Sequence, residues 1–202
     1  MKLGPKFKIA KRLGAPIFEK TQTQKFAISE ARTGKIRKRR PGAMSDYKRQ
    51  LIEKQKMRFT YGISEKQLRR YVNEAVNKSN QPILLLMSRL ESRLDNVAYR
   101  LGLAKTRQMA RQMVSHGHLI VNGRKFTVPS HKVKVGDVVA IREGSKDSAL
   151  FNNLSDIHEH AGVPTWLTFN VKKFSGEMKS EPTYEPAETL FDPEQVLEYY
   201  SR

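Results

Sequence analysis

Ser92-Arg93-Leu94-Asp95-Asn96-Val97-Ala98-Tyr99-Arg100-Leu101-Gly102, followed by Thr106-Arg107-Gln108-Met109-Ala110-Arg111-Gln112-Met113-Val114-Ser115-His116-Gly117-His118-Leu119-Ile120-Val121-Asn122-Gly123-Arg124, decides how this chain folds. Ile83, Met87, Leu90, Leu94, Val97 and Leu101 recur at spacings of three and four, which predicts one helix from about Pro82 to Leu101 with a buried stripe. Gly102 ends it, in a position that tolerates a left-handed turn. Thr106 caps a shorter helix that buries Ala110, Met113 and Val114, and Gly117 stops that one. His118 to Val121 alternates as a strand, and Asn122-Gly123 is a hairpin turn signal because both residue types tolerate positive φ. Phe126 and Val128 continue the return strand. Val133 and Val135, the Gly136-Asp137 turn and Val138 to Ile141 complete a small sheet. The module therefore spans residues 91–143: two helices plus a small sheet.

Outward from this module, Ser45 caps a helix running through roughly Phe59, ended by Gly62. Ser64 with Gln67 forms a capping-box pattern for the next helix, whose apolar face is Leu68, Val72, Ala75 and Val76. Residues 45–90 thus form the first part of a helical body, and residues 144–202 its C-terminal part with an acidic tail. In the latter, Thr168 to Val171 reads as a strand with Leu167, Phe169 and Val171 on one face. Asp192, Pro193 and Gln195 mark a helix start that carries Val196, Leu197 and Tyr200. Residues 1–44 form a basic N-terminal arm with little core of its own. The fold class is α+β: a mainly helical body with an inserted helix-helix-β-hairpin module.

Charge is graded along the chain. The formal net charge of the 202 residues is +18, with 29% charged and 38% hydrophobic residues. Residues 1–70 hold 21 Lys/Arg against 5 Asp/Glu, residues 71–143 hold 12 against 5, and residues 144–202 hold 5 against 10. The front two-thirds needs a polyanion to relieve its self-repulsion. A membrane surface is the poorer partner: in the basic N-terminal stretch, Leu3, Phe7, Ile9 and Leu13 are interrupted by Gly4, Pro5 and Gly14, so no broad apolar face opposes the charges. The longest apolar run, Ile83 to Met87, is far too short to span a bilayer. A secretory core is lacking, and Gly4-Pro5-Lys6 argues against the continuous amphipathic helix of a transit peptide. Without cysteine there are no disulfides, no thiol catalysis and no Cys-ligated zinc; no metal and no cofactor are expected.

Nucleic acid is the partner that these charges fit. Arg107 and Arg111, one helical turn apart, lie beside His116, His118, Asn122 and Arg124 at the hairpin, where planar guanidinium forks can donate parallel hydrogen bonds to phosphates. The block Lys35-Ile36-Arg37-Lys38-Arg39-Arg40 reads as a segment that orders on phosphate. Lys6, Lys8, Lys11 and Arg12 on the arm, and Lys66, Arg69 and Arg70 off the apolar face of their helix, extend the surface. Arg49, Lys54, Lys56, Arg58, Arg93, Arg100, Gln108 and Lys134 complete the candidate RNA-binding set. Enzyme signatures are weak: His158-Glu159-His160 lacks the one-turn spacing of a zinc-protease pair, and Gly34-Lys35 lacks the upstream glycine of a phosphate-binding loop. Asp46, Asp95 and Asp137 sit at a helix start, within a helix and in a turn, each an ordinary structural place, and no catalytic residue is assigned.

The central stretch resembles the RNA-binding module first recognised in ribosomal protein four of the small subunit, which also occurs in pseudouridine synthases, tyrosyl-tRNA synthetases and ribosome-rescue factors. Gly4-Pro5-Lys6, Arg12-Leu13-Gly14, Ser45-Asp46-Tyr47, Glu53-Lys54-Gln55-Lys56, Tyr61-Gly62, Glu65-Lys66-Gln67, Pro164-Thr165-Trp166-Leu167 and Glu198-Tyr199-Tyr200-Ser201-Arg202 resemble the bacterial-type small-subunit ribosomal protein four family over nearly the full length. That resemblance implies a non-enzymatic constituent of the small subunit that binds its ribosomal RNA early, nucleates assembly and influences decoding accuracy. It implies neighbouring small-subunit ribosomal proteins (five and others) as partners, contact of Arg37, Lys38, Arg39 and Arg40 with messenger RNA, and a place in the cytoplasm within the ribosome. A bacterial source fits best, and an organelle-encoded version would look similar. The chain departs from many members in lacking their zinc-binding cysteine cluster, and residues between Lys20 and Lys35 match the family poorly. An RNA-modifying enzyme using the same module is the rival, but what lies outside the module is too fragmented for a catalytic domain. The acidic stretch 177–198 faces either basic neighbouring proteins or solvent.

Overall fold

The computed structural model describes residues 3–36, 44–146, 148, 151, 162–170 and 173–201. By compactness the chain falls into two units, residues 1–83 with 185–202, and residues 84–184.

In the first unit, helices α1 (Lys6–Leu13), α2 (Gln24–Ile36), α3 (Asp46–Thr60) and α4 (Glu65–Lys78) are joined by the C-terminal helix α8 (Pro193–Tyr200). The caps fall where side-chain chemistry puts them. Ser45 Oγ accepts from the Lys48 amide, Ser64 Oγ from Gln67 and the Asp192 carboxylate from Glu194, each satisfying an N–H that has no partner within its own helix. Gln67 does not close a reciprocal box; its side-chain amide donates to the Tyr71 hydroxyl at 3.1 Å. The buried face of α4 is Leu68, Tyr71, Val72 and Ala75, whereas Val76, expected in the core, is 55% exposed. Residues 1–44 carry more core than their composition suggested. Leu13, Ala15, Ile17 and Phe18 cluster with Ile52 and Phe59 of α3, and Phe26 packs edge-on against Phe7 at 5.3 Å.

The second unit packs α5 (Pro82–Glu91), α6 (Leu94–Arg100) and α7 (Arg107–Ser115) with an antiparallel sheet. Its strands are β1 (Leu119–Val121), β2 (Arg124–Lys125), β3 (Val138–Ile141), β4 (Leu167–Asn170) and β5 (Ser175–Met178), in the order β2-β1-β3-β5-β4. The single long helix expected over 82–101 is broken at Ser92-Arg93. Arg93 is extended (φ −68°, ψ 139°), the Leu94 and Asp95 amides donate to the carbonyls of His131 and Pro129, and the Val133 amide donates to Ser92. The 129–133 loop therefore takes the backbone groups that a continuous helix would need, a tertiary contact that local periodicity does not register.

The Asn122-Gly123 turn forms as expected, with φ of 48° and 78° and Val121 paired to Arg124 across it. The return strand is shorter than expected and stops at Lys125, before Phe126 and Val128. Val133 and Val135 lie outside the strands. The strand at 167–170 has the expected Leu167 and Phe169; Val171 lies outside the described residues. Strand β5, which the sequence did not announce, bridges β3 and β4. The core between helices and sheet contains Leu94, Val97, Leu101, Met113, Val114, Leu119, Val139, Ile141, Trp166 and Met178.

Candidate nucleic-acid interface

The break at Arg93 creates a buried polar network that organises the arginines of α6 and α7. Arg93 is 1% exposed and makes a two-pronged pair with Asp95, Nε to Oδ1 at 2.9 Å and Nη2 to Oδ2 at 2.6 Å. Its guanidinium is spent inside the protein, so Arg93, expected on the RNA-facing surface, is a structural residue. Residues two apart in a helix point to different faces; the pair forms because Arg93 lies outside α6 in extended backbone. Asp95 Oδ2 also stands 3.8 Å from Arg111 Nη1. One turn on, Arg107 Nε donates to Asn96 Oδ1 at 2.8 Å while its guanidinium lies 4.4 Å from the centre of the Tyr99 ring. Asn96 in turn donates to Glu91 Oε2 at 2.8 Å, and Arg100 Nε reaches that same oxygen at 2.9 Å.

Arg93 and Arg111 thus lie against Asp95, Arg100 against Glu91 and Arg107 against Asn96, so the guanidiniums gathered here outnumber the carboxylates beside them. Arg100, Arg107 and Arg111 are half-buried, and Gln108 and Gln112 stand exposed beside them. Ordering a long side chain costs about 1.5–2 kcal/mol in rotamer freedom. Here folding has already restricted Arg107 through stacking and hydrogen bonding, so less remains to be lost when a phosphate is engaged.

The hairpin end divides the candidates differently. Asn122 is exposed, but both ends of its amide are occupied: Nδ2 donates to Asp137 Oδ1 at 2.8 Å and Oδ1 accepts from the Val138 amide at 2.9 Å. It pins the hairpin to the 134–137 turn. Arg124 and Lys134 have exposed side chains. His116 stacks on His118 with centroids 6.1 Å apart and planes 11° from parallel. Burial, followed by the positive charges of His116, Arg142 and Lys125, holds the His118 imidazole below its ordinary pKa. Lys125 and Arg142 are exposed functional candidates that the sequence reading missed. The signal for Lys125 was its place next to Arg124 on a strand, where neighbours face opposite ways. Arg142 follows β3 directly, but nothing local marks it as converging with His118.

In the first unit the basic residues separate by depth. Lys54 is 5% exposed, pairs with Glu65 at 2.9 Å and sits 4.1 Å from the centre of the Tyr199 ring. Burial pushes the Glu65 carboxyl upward. Hydrogen bonds from Lys54 and Tyr200, with the charges of Lys54 and Arg58, outweigh burial and hold it below its ordinary value. Lys54 and Arg58, the latter 3.4 Å from Glu65, therefore tie α3 to α4 and α8 instead of offering charge outward. Lys56 is held by Glu53 at 2.7 Å, and Lys11 Nζ donates to the Ser29 carbonyl and hydroxyl. Lys6 lies 5.7 Å from the Phe18 ring centre. Lys8, Arg12 and Arg49 are exposed. Lys66, Arg69 and Arg70 are exposed as expected and line a shallow groove with Ser64, Gln67 and Asn73. Arg37, Lys38, Arg39 and Arg40, with His158, Glu159 and His160, lie outside the described residues. Among the described residues, no helix is long and apolar enough to cross a membrane.

This architecture, a helical unit together with an arginine-faced helix-helix-hairpin unit, defines a class of S4-domain proteins. Residues 92–139 match the S4 domain, and residues 2–91 match the ribosomal protein S4/S9 N-terminal domain. Small ribosomal subunit protein uS4 of Chloroflexus aurantiacus is 42% identical over 205 residues, 99% of this chain and 98% of that relative. The proteins of the same name from Persephonella marina and Chromobacterium violaceum are 39% and 40% identical, covering 98% and 99% of this chain and 98% of each relative. The chain belongs to the uS4 family of small ribosomal subunit proteins.

Proposed function

We propose that this chain is a structural, non-enzymatic constituent of the small ribosomal subunit that binds small-subunit ribosomal RNA directly. The observation that carries the reading is the arginine row of α6 and α7, with Arg100, Arg107 and Arg111 held by Glu91, Asn96 and Asp95. RNA helices present a major groove too narrow for side chains, so rigid cations spaced along a protein surface suit recognition by shape and phosphate. The exposed Lys66, Arg69 and Arg70 give the helical unit its own basic face, which supports engagement of more than one RNA segment.

Early binding that nucleates assembly, and support of decoding accuracy, follow from a protein that fixes RNA segments in place. A cytoplasmic site within the ribosome, contact of residues 37–40 with messenger RNA, and contact with neighbouring proteins such as ribosomal protein five belong to the same reading. The non-enzymatic assignment is supported by two of the three aspartates weighed for a base-modifying enzyme: Asp95 pairs with Arg93, and Asp137 accepts from Asn122 and the Lys134 amide.

Replacing Arg107 and Arg111 together by Ala tests the assignment. The double variant is expected to keep its fold, because the Thr106 cap and the buried Ala110, Met113 and Val114 of α7 are untouched. Its affinity for folded small-subunit ribosomal RNA should fall at fixed salt, with the log–log salt slope reduced by about 1–2. A folded double variant with unchanged affinity contradicts it.

A further inference from the structure

The end of α7, the hairpin and the end of β3 gather cations that the arginine network does not use. His116 and His118 stack across Gly117, which takes a left-handed φ of 72°. A β-carbon on Gly117 would stand 3.0 Å from Lys125 Nζ, so the lysine lies directly over that glycine. Ser145 Oγ is 3.1 Å from His118 Nδ1 and accepts from Arg142 Nε at 3.4 Å, while the Arg142 amide donates to the His118 carbonyl at 2.8 Å. The acid nearest in sequence, Glu143, turns to Lys146 at 3.0 Å with its side chain 92% exposed. The Phe151 ring closes the far side of His118, edge-on at 6.3 Å. Among the described residues no ion pair joins Lys125 or Arg142 to a carboxylate.

We propose that His116, His118, Lys125 and Arg142, with the buried Ser145 behind them, form a seat for one tetrahedral oxyanion, a backbone phosphate of the bound RNA, and that proton uptake by His118 tightens it. The proposal rests on the RNA-binding reading above and adds to it a defined subsite and a pH response. Cations brought together repel one another, and an anion among them offsets that cost. Burial depresses the His118 imidazole first and remains, but the same anion offsets the charges of His116, Arg142 and Lys125 that depress it further, so the complex takes up a proton that the free protein lacks. Affinity then rises as pH falls. The gain is complete below the midpoint of His118 in the free protein and absent above its midpoint in the complex. A midpoint raised by about one pH unit corresponds to about tenfold in affinity.

The test follows the His118 ring protons of the full chain by NMR through a pH titration at constant ionic strength. It is run alone, with sulfate, whose charge is constant over the range, and with folded small-subunit ribosomal RNA. RNA affinity is measured in parallel for the wild type, His118→Gln and Arg142→Gln, the last an exposed position that spares the fold. Expected are a higher His118 midpoint with sulfate and with RNA, tighter RNA binding of the wild type toward acid pH, loss of part of that slope in His118→Gln, and weaker binding by Arg142→Gln. A midpoint moved by neither ligand overturns the seat. One raised by sulfate while RNA binds without moving it overturns the assignment to the RNA backbone. RNA that does not bind at all, with sulfate still raising the midpoint, overturns the RNA-binding reading and leaves the oxyanion seat standing.

Discussion

Removing the carboxylate of Asp95 should be among the most damaging single changes to the second unit. The side chains of Arg93 and Asp95 are 2% and 6% exposed and are joined by two short hydrogen bonds. In Asp95→Ala, Arg93 keeps its charge and its burial but loses the Asp95 carboxylate. Breaking such a pair from one side costs about 3–5 kcal/mol, against a total stability of about 5–15 kcal/mol for a domain. Replacing both partners, as in Arg93→Met with Asp95→Leu, removes the buried charge as well as the pair and should recover most of that loss. Trp166 is the single tryptophan of the sequence and is buried in the core of the second unit, so its fluorescence during urea unfolding reports on that unit. With a urea slope of about 1–3 kcal/mol per molar, Asp95→Ala should lower the midpoint by about 2 M. A loss below about 1 kcal/mol, or a double variant no more stable than Asp95→Ala, would refute the view that the carboxylate offsets the cost of burying this guanidinium.

Gly176 in β5 faces Leu101 so closely that a β-carbon would run into both leucine methyls and the Thr168 carbonyl. Gly176→Ala should therefore lose about 1–3 kcal/mol by the same fluorescence assay. Adding Leu101→Ala should restore part of the loss, and a neutral Gly176→Ala would contradict the packing. For His118, whose imidazole is held below its ordinary value of about 6.5, the unfolded chain takes up the proton first. Its contribution to stability is thus present above about pH 6.5 and is lost as pH falls through the lower folded-state midpoint. Arg142→Gln removes one of the depressing charges and should raise the His118 midpoint in NMR titration without any ligand; an unchanged midpoint would place Arg142 too far away to matter.

How much was legible before the tertiary structure depended on the range of the interaction. Ser45, Ser64, Thr106 and Asp192 cap helices because each side chain satisfies amides two or three residues on. Gly102 and Gly117 adopt the positive φ that ends α6 and α7, and Asn122-Gly123 forms its turn for the same local reason. The arginines of α7 were legible as a row because four-residue spacing fixes one face. What could not be read was which polar side chains would be engaged by partners within the protein. Arg93, Lys54 and Asn122 look like their surface counterparts in sequence, yet their partners are Asp95, Glu65 with Tyr199, and Asp137 with Val138.

By itself, then, the sequence determined the caps, the turns, the amphipathic faces and the excess of positive charge, since each depends on groups within a few residues or on composition. The tertiary structure alone decided that the helix over 82–101 breaks at Arg93, because the amides and carbonyl there are satisfied by the 129–133 loop. It also decided that β5 joins β3 to β4, and that Lys125 and Arg142 meet the histidines beyond α7. The physical reason is the same in each case: a hydrogen bond or charge contact between segments far apart in the chain leaves no periodicity in either, and exists only once packing has brought them together.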